Sequence, residues 1–279
     1  MRGMQKGEKM KRIIVFTICF MLSGVATIPA ETVKKHTLDI KPEISYFRYR
    51  EPNVMEEEGM MYGLALSYAY HNNWMLKTEA RGSLGKVDYS GHGCRREQNG
   101  TSDDITDYIL EFRQLGGYDF CALEATSITP YFGVGYRYLN DDGAGKFTST
   151  GIDLCERESN YLYSPIGIEI STALNKGWSI GTNFEYDYFW WGEQKTRLTD
   201  KVGYSTNLKN EQEKGYGCRG SIELRKRSEK LDFAIGPFVR YWSIRVSKRS
   251  GYTKGGVAKT GVEPKNNTIE IGGQLSIRF

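Results

Sequence analysis

Three histidines and five cysteines in 279 residues are the obvious bearers of chemistry, together with charges that alternate regularly with aromatics. A hydrolytic site built on histidine needs a carboxylate beside the imidazole, and for acyl transfer a hydroxyl as well. His36 precedes the first extended segment and His71 falls in a short turn. His92 shares a predicted loop with Asp103 and Asp104, the one place where a His–Asp pair could form, and no serine is set beside it by spacing. No zinc-ligand spacing, phosphate-binding glycine loop or nucleophile elbow occurs. The sequence therefore reads as non-enzymatic, with no catalytic, cofactor-binding or metal-binding residue assigned and no cofactor expected.

The charged residues follow a period of two, the mark of strands with unlike faces. Met60–Tyr70 sets Tyr62, Leu64, Leu66, Tyr68 and Tyr70 against Met61, Gly63, Ala65, Ser67 and Ala69. In the strands that follow, charge takes the face opposite the aromatic and aliphatic stripe. Lys77, Glu79 and Arg81 oppose Leu76, Thr78 and Ala80; Glu111 and Arg113 oppose Leu110 and Phe112; Arg137 opposes Tyr136 and Tyr138. Glu169 lies opposite Ile168 and Ile170, and Glu185 and Asp187 opposite Phe184, Tyr186 and Tyr188. Arg219, Glu223 and Arg225 oppose Ile222 and Leu224, Arg240 opposes Val239 and Tyr241, and Glu270 and Arg278 oppose Ile269, Ile271, Leu275 and Ile277. Acids and bases on this face nearly balance, as in a lumen lined with ion pairs. A first strand lies around Leu38–Arg50; Pro42 interrupts its phase, so its faces stay unassigned.

Ten strands result, most near the 9–11 residues that span a bilayer when tilted. Short turns fall at 71–73, 119–127, 172–177 and 226–230, and longer polar connections at 51–59, 90–107, 140–160, 192–214 and 245–267. An even number of antiparallel strands, short turns at one end and long loops at the other is the pattern of an outer-membrane β-barrel. Aromatics near strand ends (Tyr70, Trp74, Tyr161, Trp178, Trp190, Trp191 and Tyr216) suit interfacial girdles. The expectation is an all-β, transmembrane, antiparallel up-and-down barrel of ten strands, with eight as the alternative. Short turns face the periplasm and long loops the outside.

Residues 2–12 are basic, 13–25 apolar, and small residues lead to Ala30, the layout of a cleaved secretory signal. We read 1–30 as signal peptide and 31–279 as one barrel domain. After residue 30 the chain holds 33 basic and 33 acidic residues. That neutrality argues against sequence-independent nucleic-acid binding, whose affinity comes from neutralising phosphates. Cys94 and Cys155 fall in loops separated by a single strand and are the predicted disulfide. Cys121 lies at the opposite end, and Cys218 begins a later strand. Lys248, Arg249, Lys254 and Lys259 give the last loop a positive surface suited to lipopolysaccharide phosphates.

The runs TPYFGVGYRYL at 129–139, YLYSPIGIEI at 161–170, GPFVRYW at 236–242 and EPKNNTIEIGGQLSIRF at 263–279 resemble the small outer-membrane β-barrels of Gram-negative bacteria, the opacity-protein-like class. The resemblance implies that Ile271, Leu275, Ile277 and terminal Phe279 form the signal read by the barrel-assembly machinery. Outer-membrane lipid and lipopolysaccharide are the expected surroundings, and a monomer is the expected state. The functional expectation is a structural or surface-binding, adhesin-like protein acting through its loops on an extracellular ligand. A narrow porin-like channel is the alternative, and an outer-membrane protease or lipid-A-modifying enzyme ranks last.

Overall fold

In the computed structural model of this protein, residues 34–93, 99–123 and 125–279 are described. The predicted signal peptide and Cys94 lie outside them. Fourteen strands form: β1 His36–Glu51, β2 Met55–Asn72, β3 Trp74–Gly91, β4 Gly100–Tyr118, β5 Phe120–Leu123, β6 Thr126–Asp142, β7 Glu156–Ala173, β8 Trp178–Thr196, β9 Leu208–Gln212, β10 Gly215–Lys226, β11 Asp232–Ile244, β12 Ser250–Lys254, β13 Val257–Gly261 and β14 Asn266–Arg278. Ten of them close a barrel. β1, β2, β3, β4, β6, β7, β8, β10, β11 and β14 each pair antiparallel with the next, and β14 returns to β1. Closure gives each spanning strand a backbone partner on both sides, which a bilayer demands because it offers none.

The alternation decides which face meets lipid. Tyr62, Leu84, Phe132, Ile166, Phe184 and Ile235 stand exposed on the outside, while Glu111, Arg113, Arg137, Glu185 and Glu270 are buried within. Trp74, Trp178, Trp190, Trp191 and Tyr216 are exposed near the belt's edges. Tyr161 is not among them. It is buried in the lumen against Phe189 and Trp242, so its predicted place in a girdle is corrected. A bulge between Leu162 and Tyr163 shifts the β7–β8 register locally, and Tyr161 and Tyr163 both turn inward.

Pro42 does not break β1. It points outward, and Asp39, Glu43, Ser45, Phe47 and Tyr49 face the lumen. The long loops are shorter than predicted, because strands run on past the lipid. β2 resumes at Met55, β3 ends at Gly91, β4 begins at Gly100 and β8 reaches Thr196. Above the apolar belt both faces of a strand are polar, as at Glu56, Glu57 and Glu58, so the period-two signal fades while backbone pairing continues. The last loop also carries structure: β12 and β13 form a hairpin over the β8–β10 connection, joined by Ser205 N–H to the Thr253 carbonyl at 3.1 Å and Lys248 N–H to the Glu211 carbonyl at 2.8 Å.

Candidate functional site

The lumen is filled in tiers. Near the short-turn end, Arg278 holds Asp39 at 2.6 Å, while Lys41 and Arg225 share Glu223 at 3.1 and 3.0 Å. Lys77 bridges Glu79 at 2.9 Å and Glu169 at 2.7 Å. The next tier is denser. Arg113 reaches Glu185 and Glu79, each at 2.6 Å. Arg219 engages Glu185 at 2.7 Å, Glu111 at 2.9 Å and Asp187 at 3.1 Å. Glu43 takes Arg240 at 2.7 Å and Arg81 at 3.1 Å, and Arg81 also pairs with Glu270. Arg137 lies 3.8 Å from Glu270, too far for a hydrogen bond, and its guanidinium sits over the rings of Tyr161 and Trp242. Each of the fifteen charges that the sequence places on this face has an ionic partner inside the barrel. Asp39 and Glu43 escaped the sequence reading because β1 had no assigned phase.

Two cavities of about 140 and 120 Å³ lie among these tiers. A third, of about 260 Å³, opens at the outer mouth and shares no lining residue with them. Two separate apolar clusters also face the interior, Phe47, Met61, Ile109 and Leu139 in one and Tyr161, Phe189, Trp242 and Ile244 in the other, all nearly or wholly buried.

The outer cavity is a vestibule. Its walls include Val54, Leu154, Leu198, Leu208, Tyr204 and Tyr252, contributed by the loops, and its floor carries Glu51, Glu57, Asp141, Arg157 and Glu263. Arg157 pairs with Glu51 and Glu263 and lies over the Tyr49 ring. Behind Glu57 and Asp141 sits Asp107, with no exposed surface. None of these acids figured among the predicted lumen pairs, because they occupy the strand ends where alternation had faded.

The remaining predicted residues fall as follows. His92 lines the vestibule and its Nδ1 meets the Val54 carbonyl at 2.9 Å. Asp103 and Asp104 are exposed, and among the described residues no hydrogen bond or ion pair joins either to His92. His36 meets Tyr68, and His71 meets Asp119. Cys155 is disulfide-bonded, and its predicted partner Cys94 lies outside the described residues. Cys121 and Cys218 are free and exposed. Lys248 is paired with Glu211 at 3.0 Å and Glu213 at 2.6 Å, and the hydrogen bonds its ammonium donates to Glu213 and Glu211 raise its pKa above the usual value. Lys254 lies over the Tyr204 ring, Arg249 donates to Thr260, and Lys259 is exposed. Ile271, Leu275 and Phe279 face outward along β14, and Ile277 is half-buried.

Comparison with known proteins follows the fold. The autotransporter beta-domain family matches residues 53–217, more than half of the chain. The match supports the outer-membrane barrel class expected from the sequence, though not the opacity-like kinship in particular. A curated relative, described as the surface-exposed virulence protein BigA of Salmonella typhimurium, is 24% identical over 188 residues. Those residues are 64% of this chain and 9% of BigA, so the chain spans under a tenth of that relative's length. Among solved structures, the outer membrane protease OmpT of Escherichia coli has a TM-score of 0.61 at 8% identity, over 92% of this chain and 99% of OmpT. At that identity the likeness is one of fold.

Proposed function

The chain belongs to the autotransporter beta-domain family, and from that premise we propose that it is a closed, monomeric, non-enzymatic barrel acting at the cell surface through its loops and outer vestibule. It resides in the bacterial outer membrane. The observation that carries the reading is the layer of buried side chains in the lumen, where Tyr161, Trp242, Phe47 and Ile109 are buried along with the ion-paired Arg113, Arg219 and Glu185. A solute entering from outside meets a floor rather than a passage. The surface-exposed description of BigA agrees with a role at that face. The likeness of the Gly/aromatic strand motifs to opacity-like barrels points to the loops as the working part. On this reading the exposed bases Arg249 and Lys259 meet lipopolysaccharide phosphates, and β14 with Phe279 is presented to the barrel-assembly machinery.

Planar-bilayer recording tests the closed lumen. The parent chain is expected to give no conductance steps, whereas Tyr161→Gly with Trp242→Gly, which empties part of the layer, is expected to give them. Steady single-channel steps from the parent chain would replace the surface-binding reading with that of a narrow channel.

A further inference from the structure

We propose that Glu57, Asp107 and Asp141 form a calcium site at the outer mouth of the barrel, a role beyond the loop-based function above. The three carboxylates come from β2, β4 and β6 and can each turn an oxygen to within 4.8 Å of the others. All three are buried, at 2%, 0% and 7% exposure. Both oxygens of Asp107, Oε1 of Glu57 and Oδ1 of Asp141 have no hydrogen-bond partner. Asp107 and Asp141 stand directly opposite each other on adjacent strands, where like charges repel.

Arg157 is the nearest compensating charge, and it forms an ion pair with none of the three. It is committed to Glu51 and Glu263. Among the described residues, no lysine or arginine forms an ion pair with Glu57, Asp107 or Asp141. The surroundings are apolar: Met55, Met61, Val87, Ile105, Ile109 and Leu139 belong to the same buried cluster. Charge left unpaired in such a place costs several kcal/mol. Each of the other lumen acids described above has an arginine or lysine partner, so the exception points to a cation that the protein chain does not supply.

The donors identify that cation by class. All are carboxylate oxygens, the choice of a hard divalent ion rather than of zinc or copper. Among such ions calcium accepts an irregular cage of several protein carboxylates, whereas magnesium demands a near-ideal octahedron and keeps most of its own water, so three converging carboxylates favour calcium. Entry is from outside, because Glu57 and Asp141 line the vestibule and Asp107 lies behind them. Water in the vestibule can complete the coordination.

The test uses the full chain folded in detergent and stripped with EGTA. Calorimetric titration with calcium chloride is expected to show one ion per barrel, bound at least tenfold more tightly than magnesium. Asp107→Asn and Asp141→Asn are each expected to weaken binding at least tenfold, while Glu193→Gln on the outer part of β8 leaves it unchanged. Thermal unfolding supplies a second measurement. Calcium should raise the midpoint of the parent chain and leave those of the two Asn variants unmoved. In EGTA the Asn variants should unfold no earlier than the parent, since each removes a repulsion. The proposal is overturned if the parent binds no calcium, if magnesium binds equally well, or if Asp107→Asn binds calcium like the parent. It is also overturned if the Asn variants unfold earlier than the parent in EGTA.

Discussion

Arg113 on β4 donates to Glu185 on β8 at 2.6 Å, across a lumen in which β6 and β7 stand between the two strands. Neighbouring strands are already tied by their backbones. A bond between strands that do not touch ties the wall to itself through the interior. Arg113 also holds Glu79 on β3, so a single guanidinium links three strands. Arg113→Ala leaves the buried Glu185 and the half-buried Glu79 short of a partner and should destabilise the barrel by about 3–5 kcal/mol. Arg113→Lys should fall between it and the parent, and adding Glu185→Gln to Arg113→Ala should recover part of the loss. Leu110→Ala, on the lipid face of the same strand, should cost less. Urea unfolding in detergent ranks the four; if parent, Arg113→Lys and Arg113→Ala share one midpoint, the ion pairs do not hold the barrel.

Orientation can be read from the cysteines. Cys121 is free and exposed in the β5–β6 hairpin at the short-turn end, and Cys218 is free and exposed on the outer face of β10, paired across from Tyr186 and Tyr241. A charged, membrane-impermeant maleimide should leave both unlabelled on intact cells. After permeabilisation it should label Cys121 and still miss Cys218, which faces hydrocarbon. Labelling of Cys121 on intact cells would place the short turns outside and reverse the topology.

These placements also show how far the sequence carried. Where one strand face meets lipid and the other a charged interior, every second residue is constrained, and Leu110, Glu111, Phe112 and Arg113 announce their faces unaided. Ten strands and the paired lumen follow from that constraint. It lapses in two places. At Pro42 a gap in the apolar series hid the phase of β1, and with it Asp39 and Glu43. Above the lipid, Glu56, Glu57 and Glu58 are alike in type, so nothing marks Glu57 as the one turned inward. The Glu57–Asp107–Asp141 cluster was illegible for a further reason: its members come from three strands, and only the tilt and register of the closed barrel bring them together.

The short-turn end has its own pH dependence. Burial raises the Asp119 carboxyl, but hydrogen bonds from His71 at 2.8 Å and Thr129 at 2.7 Å outweigh it and leave the group below its usual value. A carboxylate depressed in the folded state adds stability above its unfolded value, and that stability is lost as pH falls through the folded value. The loss should therefore appear below about pH 4. Asp119→Asn should lower stability by about 1 kcal/mol at pH 7 and show a smaller further loss between pH 5 and pH 3 than the parent. Equal acid sensitivity in the two chains would remove Asp119 from the pH response.

Gly135 on β6 and Tyr163 on β7 are direct cross-strand partners, and the tyrosine ring lies over the glycine. A Cβ on residue 135 would fall 2.3 Å from Cζ of that ring, inside its van der Waals surface. The ring has little room to yield, because its hydroxyl donates to Glu111 at 2.5 Å and accepts from Arg219 at 3.3 Å. Gly135→Ala must therefore strain the strand pair or pull Tyr163 from the densest part of the ion-pair network. Overpacking together with a weakened bond to a charged group should cost about 2–4 kcal/mol. Gly116→Ala is the control: a Cβ there meets nothing within 4 Å, and the change should stay within about 0.5 kcal/mol of the parent. The sterics separate from the chemistry in a double-mutant cycle. If the clash is the cause, Tyr163→Ala should cost less with Gly135→Ala already present than in the parent, because there it also relieves the strain, so the two changes should be less than additive. Strict additivity in urea unfolding would show that Gly135 matters for some reason other than the ring above it.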